Sequence, residues 1–413
     1  MRFIYIYLLY MPFVFASNDQ ANLATCENSL LEGNTLEAMK CFERRQGFIS
    51  QLNLGIAFSF VGMNDKADEL IRAHEVSDGK NSRVFYPIEN IVIYDAVSKI
   101  SELAADKRVV MLNESHHQSA HRHFALQLAR GLRERGFTHI AIEALSQEGI
   151  ADTVNNGYAT YKNPTTGFYT SDPAFAFFIR ESIKMGFVLY AYEAHGAKSM
   201  EERENTQAVN LQKLLVEVPE AKVFVYAGYG HIRRGHFSNG LATMANLFQN
   251  KTGIQPLLID QVGGTHSSYP MLNDPVLDFV SEQFDISKPS ILQREKDHWL
   301  VSESYKGDVD ITVFHPKYSV ELRHESWINH DRFKVEVDLT QLGVEPPIVV
   351  RAISEGDREF AVPIDKILIR NARDNYLFLP AGSFRIDFSR GSGFHFLKNI
   401  EVGAEIDRSN WKS

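Results

Sequence analysis

Four short segments in the middle of this 413-residue chain bring acids and histidines close together in sequence. They are Asn113-Glu114-Ser115-His116-His117, with His121 and His123 just beyond; Glu143; Tyr192-Glu193-Ala194-His195; and Gly228-Tyr229-Gly230-His231, with Arg233 and Arg234 just beyond. Glu and neutral His ligate divalent transition metals, and a bound metal would activate water or polarise a carbonyl. A Glu–His pair can also act alone: the carboxylate orients the imidazole, and the imidazole takes a proton from water or substrate. Either chemistry gives hydrolysis of an ester, amide or phosphoester. There is no His-Glu-x-x-His helix, so spacing alone does not single out a metal. The two cysteines, Cys26 and Cys41, lie far upstream, which argues against a cysteine nucleophile.

These segments follow short apolar runs. Val109-Val110-Met111-Leu112, His139-Ile140-Ala141-Ile142, Val188-Leu189-Tyr190-Ala191, Val223-Phe224-Val225-Tyr226-Ala227 and Pro256-Leu257-Leu258-Ile259 read as buried strands, with Ile311-Thr312-Val313-Phe314 as a sixth. Helical patterns alternate with them: Phe124, Leu128 and Leu132 at helical spacing, then residues 175–185 and 203–216. Such alternation means a parallel sheet covered on both faces. In such sheets ligands bind beyond the carboxyl ends of the strands. Four consecutive strands each deliver an acid, a His or both to that one edge, and the convergence marks a site. Glu114 with His116 or His117 would be the acid/base pair. Glu143, Glu193 and His231 would orient water, substrate or metal, and Arg203 would bind a substrate carboxylate or an oxyanion. Tyr192 and Tyr229 are substrate-binding candidates, or iron ligands with His116 and His121 if the site holds haem. A divalent metal would draw on His116, His121 and His231.

The segments resemble the erythromycin esterase/ChaN-like superfamily, which includes Tiki/TraB-related proteases. The likeness rests on Leu112-Asn113-Glu114-Ser115-His116-His117, on Ala141-Ile142-Glu143, on Val225-Tyr226-Ala227-Gly228-Tyr229-Gly230-His231, and on Arg203-Glu204 with Ala208 and Asn210 downstream. It covers about residues 100–265. It implies a Glu/His site roofed by loops, with Glu143 and His231 inside. Asn113 replaces the family's Gly. The esterase register places His three residues after Glu, at His117, but Gln118 follows it instead of Gly. The haem-binding register fits His116 and His121. Both registers are open.

The whole chain reads as an α/β fold: a parallel-sheet three-layer core over 90–318, an N-terminal helical hairpin region over 17–85, and a small antiparallel β domain over 319–413. The helical region carries an echo, Gly33-Asn34-Thr35-Leu36-Glu37-Ala38 against Gly62-Met63-Asn64-Asp65-Lys66-Ala67, that resembles a degenerate tetratricopeptide repeat. It would pack on the core and could meet a protein partner. Residues 333–339 alternate apolar and polar as a half-buried strand does, with further strands at 364–369, 376–379 and 384–388. Arg2, the apolar stretch 3–15 and Ala16 read as a secretory signal over 1–16, so the protein is expected to be periplasmic or secreted, with no transmembrane span in the mature chain. In an oxidising compartment Cys26 and Cys41 form either a disulfide or two buried thiols. A net charge of -9 with no dense basic stretch excludes nucleic acid as the expected partner. Three functions remain open: a hydrolase for a small-molecule or peptide substrate, a haem- or metal-binding protein of envelope iron handling, and a catalytically inactive interaction protein.

Overall fold

The computed structural model describes residues 18–403 apart from 79–83, 89, 162–164, 296–297, 318–331, 339–344, 371–374 and 392. The signal expected over 1–16 and the boundary expected at 318–319 lie outside the described residues.

Helices α1 (Asn18–Leu31), α2 (Thr35–Glu43), α3 (Phe48–Ser59) and α4 (Asn64–Arg72) pack in succession. Cys26 and Cys41 form a disulfide that joins α1 to α2. The chain continues through β1 (Val92–Asp95), α5 (Ala96–Leu103), β2 (Val109–Glu114), α6 (Ser119–Glu134), β3 (His139–Ile142), α7 (Ile150–Asn156), α8 (Pro173–Lys184) and β4 (Val188–Ala191). Then come α9 (Met200–Glu217), β5 (Val223–Gly228), α10 (Met244–Thr252), β6 (Leu257–Asp260), α11 (Pro275–Gln283), β7 (Ser290–Glu295), β8 (His298–Trp299) and β9 (Ile311–Thr312). Six strands form one sheet in the order β4-β3-β5-β2-β6-β9, and all their pairings are parallel.

The two faces of this sheet can be read from alternate residues. Val110, Leu112, Phe224 and Tyr226 join one apolar cluster with Phe124, Leu128 and Leu132 of α6 and Phe175 and Phe178 of α8. Val109, Met111, Val223 and Val225 join a second cluster with Leu211 and Leu215 of α9 and Phe248 of α10. Helices therefore cover both faces, which makes the core three-layered. The strand order also fixes a crevice. From β2 the chain crosses toward β3 on one side, and from β5 it crosses toward β6 on the other. The carboxyl ends of β2 and β5 are thus a topological switch point, where open α/β sheets bind ligands. Glu114 and Gly228 are register partners at that point.

The C-terminal strands are β10 (Phe333–Glu336), β11 (Ile348–Ser354), β12 (Asp365–Ile369), β13 (Tyr376–Leu379), β14 (Gly382–Ser389) and β15 (His395–Val402). They form a two-stranded sheet, β10-β13, and a four-stranded one, β12-β11-β14-β15, all antiparallel. Three elements lack a clear sequence signal. The antiparallel sheet β1-β7-β8 is short. β11 interrupts its apolar run with Arg351, which is buried because it pairs with Asp387 of β14. β15 lies largely exposed.

The apolar cluster on the α6/α8 face runs from Cys26 to Val402. The helical segment, one sheet face and the C-terminal strands therefore share a core. Lys366 of β12 marks the junction: buried, it donates to Thr35 Oγ1 at 2.8 Å and Tyr161 Oη at 3.1 Å. Reducing Cys26–Cys41 reopens a link between residues separated by 15 positions. The chain-entropy model values such a loop at about 3 kcal/mol. Thermal unfolding with and without dithiothreitol should show a lowered Tm on reduction.

Candidate functional site

Glu114, the last residue of β2, is buried and fully engaged. Its Oε1 meets His116 Nδ1 at 2.9 Å. Its Oε2 accepts from Arg122 Nε at 3.0 Å and from Tyr226 Oη at 2.8 Å. Burial pushes the carboxyl up, but the Arg122 guanidinium and the His116 bond outweigh it and hold the group at about 2. An ionised carboxylate only accepts, so His116 carries its proton on Nδ1. That leaves Nε2 as a lone pair, and among the described residues nothing hydrogen-bonds it. The ring is fixed by aromatic contacts: Tyr169 stacks on it at 4.1 Å and Tyr229 meets it edge-on at 5.1 Å. Gly228 leaves room for its edge. A Cβ there would stand 2.5 Å from His116 Cε1 and 2.8 Å from Nε2, closer than side chains tolerate.

Beside this pair lies a second group, centred on Arg203 of α9. Its Nη2 donates to Glu143 Oε1 and Glu193 Oε2, both at 2.5 Å, and its Nε donates to Glu193 Oε1 at 3.0 Å. Its Nη1 stands 3.0 Å from His231 Nε2. Glu143 Oε2 also accepts the Gly228 N–H at 2.5 Å. Burial alone would raise Glu143; His231 and Arg203 overcome that and hold it at about 2. His231 Nδ1 lies 2.5 Å from Glu204 Oε1, and Nε2 lies 3.6 Å from Glu143 Oε1. Burial pulls its pKa down, but Glu204 and Glu143 outweigh burial, and the net direction is up.

The structure thus gathers Glu114, His116, Glu143, Glu193, Arg203 and His231 at one sheet edge and places the other candidates elsewhere. His117 turns away to Asp68 of α4, with Nε2 3.0 Å from Oδ1. This separates the two adjacent histidines: His116 faces the site and His117 faces the N-terminal helices. His121 is buried with both nitrogens engaged, Nδ1 accepting the Ser115 N–H at 3.0 Å and Nε2 meeting Thr265 Oγ1 at 2.8 Å. Tyr192 belongs to the α9/α10 face, where it is buried and donates to the Tyr226 carbonyl at 3.4 Å. Tyr229 turns its hydroxyl to His117 Nδ1, 3.4 Å away. His195 is exposed.

The expected metal set of His116, His121 and His231 is therefore not assembled. Among the described residues no three His, Cys, Asp or Glu side chains stand in a metal-binding arrangement. Between Glu143, Glu193 and His231, where a cation would sit, stands the Arg203 guanidinium. Its engagement with those carboxylates also argues against a direct grip on a substrate carboxylate. Residues outside the candidate set complete the site. Arg122, fully buried, bridges Glu114 to Asp172 and donates to the His116 carbonyl at 2.6 Å. Glu204 caps α10 through the Met244 N–H at 2.5 Å while facing His231. Arg122 could have been found as a charge on the inward face of α6, three and seven residues before Ala125 and Ala129. Asn113 donates to Asp260 Oδ1 at 2.8 Å and to the Tyr229 carbonyl at 3.2 Å, tying the turn after β5 to β6.

No protein-family model matches the chain, and no curated protein does. Solved structures similar to part of it include the type III effector HopBA1, at 14% identity over 45% of this chain and 95% of that one, with a TM-score of 0.31. ChaN of Campylobacter jejuni, solved with cofacially bound heme, is similar at 12% identity over 45% of this chain and 96% of that one, with a TM-score of 0.27. RRSP, a MARTX toxin effector domain from Vibrio vulnificus, is similar at 12% over 56% and 55%, with a TM-score of 0.30. The tetratricopeptide likeness of the helical segment gains no support from any of these.

The carboxylates held near 2 give the fold a pH limit. Unfolded Glu titrates near 4.3. A group with a depressed folded pKa stabilises above the unfolded value and loses that contribution as pH falls toward the folded one. Urea unfolding at pH 6 and pH 3 should therefore show a clear loss at the lower pH, about 2 kcal/mol from Glu114 alone on the linkage relation.

Proposed function

We propose that this chain is a hydrolase in which His116 Nε2 is the general base that activates water against an ester, amide or related bond. The observation that carries this reading is the polarity of the Glu114–His116 pair. Glu114 fixes the proton on Nδ1, so Nε2 carries an unpartnered lone pair, at the ring edge for which Gly228 leaves room. A base oriented by a buried carboxylate is the arrangement that acyl-transfer sites share. His231 supplies the complementary function. Glu204 and Glu143 draw it toward the imidazolium, and it serves as proton donor to the leaving group when Nε2 turns from Arg203 Nη1, which it faces at 3.0 Å, to the substrate. Arg203 holds Glu143 and Glu193 in place and offsets their charge.

The same nitrogen carries the alternative. An unpartnered imidazole Nε2 is also what haem iron would take, although His121 and Tyr192, with their polar atoms engaged inside the fold, do not fit as further ligands. The reading includes export, supported by the Cys26–Cys41 disulfide, which forms and persists in an oxidising compartment.

The test is turnover of p-nitrophenyl acetate and of an alkyl-ester panel by the full chain. His116→Gln should lower kcat by about 10²- to 10⁴-fold, the usual value of a positioned base, with an unchanged circular dichroism spectrum. Gly228→Ala should act similarly by displacing the ring. Glu114→Gln is a poorer probe. It leaves buried Arg122 without one partner, and breaking a buried ion pair costs about 3–5 kcal/mol. Activity should fall as pH rises through the elevated His231 pKa, because the imidazolium is lost there. Full turnover in His116→Gln sinks the hydrolase assignment, and a Soret shift with hemin that vanishes in the same variant favours haem.

A further inference from the structure

His117 was set apart from the site by its bond to Asp68, yet that bond leads back to His116. Asp68 of α4 is buried, and although burial pushes its carboxyl up, His117 and Arg72 hold it at about 2. It is ionised and only accepts, so His117 carries its proton on Nε2, 3.0 Å from Oδ1. His117 Nδ1 is then a lone pair, and Tyr229 Oη, 3.4 Å away, donates to it. The Tyr229 ring in turn meets His116 edge-on, beside the Tyr169 ring stacked on the same imidazole, and so limits its tilt. Tyr229 holds this place at a backbone φ of 32°, the positive φ found at no other non-glycine among the described residues. Such strain persists where the surroundings over-determine it. Oδ2 of Asp68 is fixed independently by Ser267 Oγ at 2.9 Å and the Ser268 N–H at 2.6 Å.

We infer that Asp68 is a positioning residue for the catalytic imidazole. It acts through His117 and Tyr229, so the N-terminal helical segment supplies part of the active site. The inference rests on His116 being the base, and it adds a requirement that neither the Glu114 pair nor the parallel sheet contains. A chain lacking α4 keeps Glu114, His116, Glu143 and His231 but loses the support that sets the His116 ring.

The experiment reads the ring itself and needs no substrate. Carbethoxylation of the full chain by diethyl pyrocarbonate is followed histidine by histidine with peptide mass spectrometry. Asp68→Ala should raise the His116 rate about fivefold, the equivalent of one net hydrogen bond, while exposed His195 reacts as before. Tyr229→Phe removes only the hydroxyl and should give the same rise. The double variant should add nothing further, since both changes break one chain of contacts. Ser267→Ala removes a different Asp68 contact and should leave His116 unchanged. An unchanged His116 rate in Asp68→Ala overturns the inference. So does an equal rise at every histidine, which would mean a loosened fold. Ester turnover separates this from the hydrolase reading. A protein without turnover whose His116 still responds to Asp68→Ala loses the hydrolase and keeps the positioning. A protein with turnover whose His116 ignores Asp68 keeps the hydrolase and loses the positioning.

Discussion

A guanidinium with no access to water must be surrounded by acceptors, or it could not remain charged in the core. Arg122 is in that position, and much of the site is arranged around it. Glu114 at the end of β2, Asp172 at the start of α8 and the carbonyl of His116 all turn toward it. Asp172 Oδ1 also accepts the Ala174 N–H and caps α8, and its Oδ2 accepts from Ser119 at the first position of α6. One buried cation thus fixes the strand end, two helix starts and the backbone of His116. Its stacking over Phe175, 4.9 Å away, places it on the α6/α8 face, the same face as Tyr226. The Glu114 carboxylate is ionised because of this arginine and not because of solvent, which is why His116 has a defined tautomer in a buried place.

The second half of the site solves a similar problem with the opposite excess. Glu143, Glu193 and Glu204 converge from β3, the loop after β4 and α9, and Arg203 alone does not neutralise them. His231 stands against two of the three, so the excess negative charge favours its protonated form. This is the role a divalent metal would fill in a metal-dependent hydrolase, filled here by guanidinium and imidazole. The arrangement explains why a Glu/His-rich sequence, read alone, suggests a metal. The donor types are right for one, and only their geometry shows that a side chain already occupies the position.

The parallel strands and the acids at their ends were legible because a buried strand of four to six residues leaves a continuous apolar run. A charged residue straight after such a run must lie at the sheet edge. Glu143 follows its run directly, Glu114 and Glu193 stand two residues on and His231 four, and all lie at that edge. Direction was not legible. His116 and His117 are adjacent, and nothing in their spacing shows which faces the crevice. The choice is made by Asp68, 49 positions upstream, a contact that only the packing of α4 on the sheet creates. Tyr192 fails for a related reason: one position before Glu193, it points to the opposite face, under α9. Arg122 was obscure because a charge inside an amphipathic helix reads as solvated until its partners are placed, and Glu204 stood out only through the motif it shares with Arg203.

Two histidines at one edge of a sheet do different work when their neighbours differ. His116 has a carboxylate on one nitrogen and, among the described residues, no hydrogen-bond partner on the other, and aromatic rings set its plane. His231 has carboxylates toward both nitrogens and an arginine at one of them. The first arrangement presents a lone pair; the second stabilises a proton. Both depend on Gly228, whose N–H fixes Glu143 and whose missing side chain leaves room for the His116 ring. The acid and base roles proposed for them would therefore be coupled through a single residue at the switch point of the sheet. A side chain at position 228 would disturb both at once, whereas changes at Glu204 or Asp68 would reach only one. That asymmetry follows from the strand order, since β5 is the strand that lies between β2, which carries Glu114, and β3, which leads to Glu143.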